Sequence, residues 1–390
     1  MQPRKLLVLL NYRLSDLIRK GEITLRYYNP GNLFDEVHIL ITRPDYPEIE
    51  KLQKAVGKAM LYIHTIPPPN PILTLGFRPA LLKMWARRGI GIARKIRPNL
   101  MRVHGDNFNG FLAYCIKSEL GVPYVMSYHH NPYQKVPKEW QPHRDLALWL
   151  LRDARKLAVR NADCAVPVYQ SIIPYLRDMG AQRIQVAYNV VAPEKIQIKK
   201  VYGLHDPVRL IYVGRLLRRK NPENIIRAMQ QLPEATLHIV GDGPLLGVLK
   251  ELAKELRITP RITFTPAMPN KQLCQILAQQ DIFVLHIDSH GISKTIIEAF
   301  LSGLPVVVNR RKGEQVEELR PDFVKFAENT PESYAVAIKE LIAKPSERKR
   351  LGKQGRSRAI ALWEPKKTEQ KYVQIYKKYA LNESSNSSLK

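Results

Sequence analysis

The stretch from Asp281 to Asn309, DIFVLHIDSHGISKTIIEAFLSGLPVVVN, constrains the fold more than any other part of the chain. Its first segment, IFVLHI, is a short apolar run rich in β-branched residues, which is typical of a strand buried on both faces of a parallel sheet. Ser293 is a candidate helix cap, apolar residues follow at helical spacing, and Gly303 marks the helix end. The run LPVVVN predicts the next buried strand. The stretch therefore predicts a β-α-β unit.

The same alternation of buried strands and amphipathic helices extends along the rest of the chain. Predicted strands of the first half are KLLVLLNY, FDEVHILIT, NLMRVHG, VPYVMSYHHN, CAVPVY and IQVAYNVV (184–191), with a long helix predicted over 145–163. The second half repeats the pattern with VRLIYVG, TLHIVG and RITFTP. This alternation predicts a doubly wound α/β architecture, and 390 residues allow two or three domains.

Cysteine usage and hydropathy indicate a reduced, cytosolic protein. Cys115, Cys164 and Cys274 each stand alone in an apolar segment, without the spacing of a metal site, so we expect them to be reduced core residues. The N-terminal run LLVLL is too short for the core of a signal peptide. No apolar run approaches the roughly 18 residues that a membrane helix requires.

The net charge of +27 predicts partners that are anionic, such as nucleotides or an anionic lipid surface. Residues 78–97 carry seven basic side chains and no acidic one. Three interpretations stay open: a solvated helix with Leu82 and Trp85 in the core, an interfacial helix that inserts Met84 and Trp85 into anionic lipid, or a channel for an anionic acceptor. Nucleic acid is not expected, because no recognition motif accompanies the charge.

A second motif, VGRLLRRKNPENII, places Gly214, Arg215 and Lys220 in a loop after a predicted strand. A leaving nucleoside diphosphate gains negative charge, which the planar guanidinium of Arg215 and the ammonium of Lys220 are suited to neutralise. Backbone N–H groups at the helix start near Ser293 would add to this stabilisation. The chain contains no Asp-x-Asp motif, so we expect no metal or other cofactor. A solvated basic loop is the alternative interpretation.

These motifs resemble the donor-binding signature of family 4 glycosyltransferases, which have the GT-B fold. The matching positions are Gly214, Arg215, Leu216, Lys220, Glu298, Ala299, Gly303, Pro305 and Val306. The chain departs from the pattern at two positions: His290 stands where the family has the first Glu of its Glu-x7-Glu motif, and Ser293 where it has a turn glycine.

The resemblance implies two Rossmann-like doubly wound domains with a cleft between them. We expect an acceptor-side domain at 1–193, a linker at 194–206, a donor-binding domain at 207–363 and a disordered tail at 382–390. The helix at 364–381 is expected to pack back onto the first domain.

The resemblance also assigns roles to individual residues. Donor phosphates would be bound by Gly214, Arg215, Lys220, Gly291, Ile292, Ser293 and Lys294, and the ribose by Glu298. The nucleotide base would lie near Gly241, Asp242, Gly243 and Pro244, although a tight strand-to-helix turn explains those glycines equally well. The catalytic candidates are His129 and His290, with His130 as a substitute for His129 and His104 as a structural neighbour. Lys20 and Gly21 are weaker candidates for an acceptor-side loop.

The function implied is a metal-independent retaining glycosyltransferase. It would move a sugar from a nucleotide-sugar donor, with UDP the commonest nucleotide in the family, to a saccharide or lipid-linked saccharide. Two alternatives stay open: a sugar-nucleotide epimerase, for which no pair of catalytic carboxylates is evident, and a noncatalytic basic module that binds anions or membranes.

Overall fold

The computed structural model describes residues 2–19, 21, 23–70, 73–74, 77–129, 131, 149–188, 196–288, 291–310 and 316–380. The chain divides into two compact units. The first contains the described residues up to 131, residues 149–188 and residues 366–380; the second contains residues 196–365.

The first unit is built on a six-stranded parallel sheet in the order β3-β2-β1-β4-β5-β6. Its strands are β1 (Lys5–Leu10), β2 (Glu36–Ile41), β3 (Met60–Thr65), β4 (Leu100–His104), β5 (Tyr124–Tyr128) and β6 (Cys164–Pro167). Apart from the edge strand β3, these strands are buried almost throughout, as their unbroken apolar runs predict.

Helices cover both faces of this sheet and form two apolar cores. One face carries α3 (Pro79–Ile96), α4 (Phe108–Leu120), α5 (Arg152–Arg160) and α6 (Ile173–Asp178), and the other carries α1 (Leu14–Arg19), α2 (Ile49–Val56) and a helix from the end of the chain. The cysteines are buried free thiols in both units, which agrees with the expected core positions.

The helix that ends the described chain, α13 (Pro365–Ala380), packs on the first unit. Its Glu369 carboxylate accepts a hydrogen bond from Arg26 at 2.8 Å and one from the backbone N–H of Gly31 at 2.8 Å. Tyr372, Ile375 and Tyr376 of the same helix lie in the apolar core beneath β1 and β2.

The second unit is built on another six-stranded parallel sheet, in the order β12-β11-β10-β7-β8-β9. Its strands are β7 (Val208–Val213), β8 (Ala235–Val240), β9 (Ile262–Thr265), β10 (Ile282–Leu285), β11 (Val306–Asn309) and β12 (Lys325–Ala327). Its helices are α7 (Glu223–Ala228), α8 (Leu246–Glu255), α9 (Asn270–Leu277), α10 (Lys294–Leu301), α11 (Pro331–Ala343) and α12 (Pro345–Trp363). The β10-α10-β11 unit is the one that the stretch 281–309 predicts.

One predicted element of the first unit is wrong in extent, and another is confirmed over most of its described part. The strand predicted over 184–191 is reduced, in its described part, to a single bridge between Ile184 and Ala165. Backbone hydrogen bonds still hold Gln185 and Ala187 to β6, so this run lies along the sheet edge without forming a regular strand. The helix predicted over 145–163 is helical at residues 149–150 and over Arg152–Arg160, with a turn at residue 151, and residues 145–148 lie outside the described residues.

The basic segment 78–97 is the helix α3, and its Trp85 is held by the protein. The Trp85 indole N–H donates to the carbonyl of Pro67 at 2.7 Å, and its ring lies 6.3 Å from the ring of Phe108. Leu82 is fully buried, whereas Met84 is 61% exposed. The structure therefore supports a core position for Leu82 and an anchored Trp85, and leaves Met84 on the surface.

Candidate functional site

Two glycines after β8 allow its turn to pack directly against the loop that follows β7. Gly241 has φ +147°, and a Cβ there would lie 2.0 Å from the carbonyl oxygen of Gly214. Gly243 has φ +159°, and a Cβ there would lie 2.3 Å from the carbonyl oxygen of Leu216. The backbone N–H of Leu216 donates to the carbonyl of Asp242 at 2.9 Å. Both glycines are thus required by close packing, whatever else the turn does.

The other two residues of this predicted base-proximal turn are exposed. The carboxylate of Asp242 accepts a hydrogen bond from the backbone N–H of Ala267 at 2.9 Å, which ties the turn to the loop after β9. Pro244 follows at the surface. A role of these residues at a nucleotide base stays a prediction.

The lysine of the VGRL motif reaches the start of α10. A single 3₁₀ turn over Arg218–Lys220 places the Lys220 ammonium 3.3 Å from Ser293 Oγ, to which it donates. Ser293 occupies the N-cap position of α10, and its hydroxyl also lies 2.9 Å from Thr295 Oγ1. The structure thus brings together two parts of the predicted phosphate site that are 73 residues apart in the chain.

The remaining residues of the predicted phosphate site lie close in sequence to either Lys220 or Ser293. Arg215 is exposed in the loop after β7, and Lys294 is exposed at the first position of α10. Gly291 is buried and Ile292 is partly buried just before the helix. Cationic side chains beside a helix N-terminus favour an anion at this edge of the sheet.

Glu298 lies one turn further into α10 and is only 5% exposed. Its Oε1 atom accepts a hydrogen bond from the Asn270 amide at 2.6 Å. Asn270 begins α9 and is a residue that the sequence analysis missed, because the two positions are 28 residues apart. The amide fixes the orientation of the carboxylate that is predicted to bind the ribose.

The segment after β10 is held by its neighbour strand. The side-chain amide of Asn309 accepts from the backbone N–H of Ile287 at 2.8 Å and donates to its carbonyl at 3.3 Å. His286 Nε2 lies 3.0 Å from the Asp288 carboxylate. His290 lies outside the described residues, so its predicted role stays a prediction.

In the first unit, His104 and His129 lie at the carboxyl ends of the adjacent strands β4 and β5. Their rings stack with centroids 5.1 Å apart and an angle of 21° between planes. Tyr12 OH lies 3.1 Å from His104 Nδ1, and Tyr27 OH lies 3.2 Å from His129 Nε2. Ligands of open parallel sheets bind at such strand ends, so the pair has the location expected of a functional site.

Burial keeps His104 and its neighbouring tyrosines uncharged. Desolvation, with smaller contributions from the Arg102 and His129 charges, holds the pKa of His104 well below its ordinary value. Burial likewise raises the pKa of Tyr28, whose hydroxyl lies 3.1 Å from that of Tyr12, to about 12. At physiological pH the His104 imidazole is therefore neutral and the phenols of Tyr12, Tyr27 and Tyr28 are protonated.

The turn after His104 is braced by groups that the sequence analysis did not single out. The Asp106 carboxylate pairs with Arg155, whose Nε lies 3.2 Å from Oδ1, and it also accepts a hydrogen bond from the Tyr175 hydroxyl. The Asn109 amide donates to the carbonyl of His104 at 2.5 Å. The polar residues directly after the apolar strand could have indicated Asp106 and Asn109. Arg155 and Tyr175 lie far away in the sequence, where no such pattern marks them.

The weaker acceptor-loop candidates lie after α1. Gly21 is exposed with φ +64°, and Lys20 lies outside the described residues, as does His130. Within the described ranges, no group of three or more His, Cys, Asp or Glu side chains is arranged to hold a metal ion. Nor does any described helix have the length and apolar character needed to cross a bilayer.

Two family models match the chain, one for each half. "Glycosyltransferase Family 4" matches residues 33–195, and "Glycosyl transferases group 1" matches residues 194–358. The chain therefore belongs to the GT-B glycosyltransferases of the family 4 type.

Individual relatives are more distant. The chain is 28% identical over 182 residues to the GDP-mannose-dependent α-(1-6)-phosphatidylinositol monomannoside mannosyltransferase of Mycolicibacterium smegmatis, covering 44% of this chain and 48% of the relative. It is 26% identical over 291 residues to the sulfoquinovosyl transferase SQD2 of Arabidopsis thaliana, covering 72% and 54%. The alignments thus span about half the length of these two relatives.

Among solved structures, Anabaena HepE in complex with UDP superimposes with a TM-score of 0.72 at 15% identity. The match covers 96% of this chain and 100% of that one. At this identity the likeness establishes the fold, which is the GT-B fold predicted from the sequence motifs.

Proposed function

We propose that the protein is a glycosyltransferase that takes a nucleotide-sugar donor and binds its diphosphate at the carboxyl edge of the second sheet. The contact of Lys220 Nζ with Ser293 Oγ at the start of α10 carries this proposal, because it combines a cation with a helix N-terminus. Arg215 in the same loop supplies a second cation. Glu298, fixed by Asn270, accepts hydrogen bonds from the ribose hydroxyls.

The chemistry proposed is metal-independent transfer with retention of configuration. Departure of the nucleoside diphosphate places negative charge beside Arg215, Lys220 and the backbone N–H groups of α10, and these fixed groups stabilise it without a metal ion. His129 orients the sugar by hydrogen bonding. His290 takes the position of the family's first motif carboxylate and replaces its hydrogen bonds to the sugar hydroxyls.

The donor nucleotide is proposed to be UDP, with GDP as the alternative. UDP is the commonest nucleotide in the family, and the HepE structure was solved with UDP. The mycobacterial relative, however, is named for its use of GDP-mannose.

The acceptor is proposed to be a lipid-linked saccharide met at an anionic membrane surface. The basic helix α3 exposes Met84, and Leu73 just before it is 77% exposed. Exposed apolar side chains among basic ones suit peripheral binding to anionic lipid. The interfacial interpretation of residues 78–97 inserts both Met84 and Trp85; because Trp85 is bound to Pro67, the proposal keeps Met84 and replaces Trp85 with Leu73.

A thermal-shift panel tests the donor assignment and separates it from the noncatalytic alternative. An enzyme with this site is stabilised by one nucleoside diphosphate over the others, as mass action requires. A noncatalytic basic module would respond to heparin or anionic vesicles alone and would lose the response in salt. The epimerase alternative is tested separately: incubation with a sugar nucleotide and no acceptor would yield the epimeric sugar nucleotide. Equal stabilisation by every polyanion would contradict the proposal.

A further inference from the structure

Arg102 is a fully buried cation in the middle of β4. No carboxylate among the described residues forms an ion pair with it. A buried charge without a counterion is costly and is retained only where other groups compensate it. Arg102 therefore calls for a specific explanation.

Aromatic rings and oxygen atoms replace the missing counterion. The guanidinium carbon lies 4.5 Å from the ring centroid of Tyr27 and 4.4 Å from that of Tyr372, so the cation is held between two π faces. Nη1 donates to the carbonyl of Tyr27, and Nε donates to Ser127 Oγ at 3.3 Å. Ser127 Oγ is in turn 3.2 Å from Tyr372 OH. We refer to Arg102, Tyr27, Ser127 and Tyr372 as the Arg102 cage.

The cage leads directly to the histidine pair. Tyr27 contacts Arg102 with its ring and its carbonyl, and its hydroxyl lies 3.2 Å from His129 Nε2. The Tyr27 ring also lies edge-on to His104, with centroids 5.9 Å apart. His104 is two residues after Arg102 in β4 and so points to the same face of the sheet. Tyr372 belongs to α13, so this helix contacts the Arg102 cation directly.

We propose that Arg102 is a positioning residue: by holding Tyr27 in place, it fixes the orientation of His129 and couples α13 to the histidine site. The inference rests on the proposed function, since it gives His129 a task in sugar transfer. Arg102 itself touches neither donor nor acceptor in this scheme.

A second effect follows from the positive charge. Burial is the main reason why the pKa of His104 is low, and the Arg102 and His129 charges lower it further. Three tyrosines face the pair itself: Tyr12 after β1, and Tyr27 and Tyr28 before β2. Tyr372 and Tyr376 of α13 face Arg102, and Asp106 follows His104 by two residues in the chain. Asp106 is paired with Arg155, so Arg102 is the buried cation that acts on His104.

Four variants test this inference. Tyr27→Phe keeps the ring on Arg102 and removes the hydroxyl at His129. Arg102→Lys keeps a charge but loses the planar fork, and Arg102→Met removes the charge at similar volume. Tyr124→Phe is the control, because its hydroxyl is buried in the same unit but donates to the carbonyl of Ala158, away from the histidines.

We expect Tyr27→Phe to lower kcat about five- to tenfold, the effect of one hydrogen bond, with nucleoside diphosphate affinity unchanged. Arg102→Lys should lower kcat by a similar factor and leave the dependence of kcat on pH unchanged. Arg102→Met should also shift the acidic fall of kcat to higher pH, because His104 then protonates at higher pH. Tyr124→Phe should behave as the parent in kcat and pH profile.

Histidine NMR titration gives a readout that does not depend on activity. The His104 resonance, assigned with His104→Gln, should titrate at higher pH in Arg102→Met than in the parent. If the parent transfers no sugar, the proposed function fails, and this titration still decides whether Arg102 controls the pair. If Arg102→Met does not fold, Tyr27→Phe decides. The inference is overturned if folded Tyr27→Phe matches the parent in kcat and pH profile, or if the His104 titration in folded Arg102→Met is unchanged.

Discussion

At the scale of single residues, the cations of the loop after β7 are expected to differ in how much they contribute to nucleoside diphosphate binding. Arg215→Ala or Lys220→Ala should weaken nucleoside diphosphate binding by about 1.5–3 kcal/mol, the range of a charge-assisted hydrogen bond. Arg218→Ala is the matched control, since this residue lies in the same turn outside the predicted phosphate set. Isothermal titration with UDP and GDP measures the effect. Binding by both variants that equals the parent's would place the phosphate site elsewhere.

His290 is where the chain departs from the family residue, and its variants separate sugar recognition from nucleotide binding. His290→Ala should leave nucleoside diphosphate affinity nearly unchanged while lowering turnover of the complete donor, because an interaction made mainly in the transition state affects kcat. His290→Glu restores the family residue and should stay active if histidine only replaces a hydrogen-bonding group. A His290→Ala variant with full turnover would show that the residue has no role in transfer.

Residue-scale prediction from the sequence succeeded where a motif carried the information and failed where contacts join distant segments. The apolar pattern of residues 281–309 predicted the strands and helix around Ser293. The bond between Asn270 and Glu298 joins two helices and leaves no local pattern. Tyr12 and Tyr27 reach the histidines from loops after β1 and before β2, which hydrophobic periodicity does not specify.

At the scale of elements, α3 is the candidate membrane contact. The protein should bind vesicles that contain anionic lipid and not neutral vesicles, with binding that weakens as salt screens the charges. Replacing Lys83, Arg87 and Arg88 with Gln should abolish it, and Met84→Asp should weaken it. The control replaces Lys349 and Lys353 of the basic helix α12 in the second unit. Equal binding to neutral and anionic vesicles, or none to either, would leave α3 as a solvated helix.

At the scale of the whole molecule, the proposed chemistry requires no divalent ion. Transfer activity should survive EDTA, because Arg215, Lys220 and the start of α10 carry the stabilisation of the leaving diphosphate. Activity of the parent in EDTA, with and without added Mg²⁺ or Mn²⁺, measures this directly. Complete loss on chelation that either ion restores would contradict the metal-independent mechanism.

Folding stability of the whole protein should fall as the pH drops below about 6.5, the ordinary pKa of histidine. Burial lowers the pKa of His104, His38, His64 and His238 in the folded state. The unfolded chain therefore binds protons in this range that the folded chain does not, and the free energy of unfolding decreases toward acid.

Melting temperatures between pH 8 and pH 5, at constant ionic strength, measure this decrease. His38 Nδ1 lies 3.0 Å from His64 Nε2, and His38 Nε2 lies 3.1 Å from the Glu36 carboxylate. Because the two histidines contact each other, they are best replaced together. In the double variant His38→Asn/His64→Asn, the melting temperature should fall less steeply with acid than in the parent. A parent whose melting temperature is constant from pH 8 to pH 5 would show that these histidines exchange protons equally in both states, and that their burial has no consequence for stability.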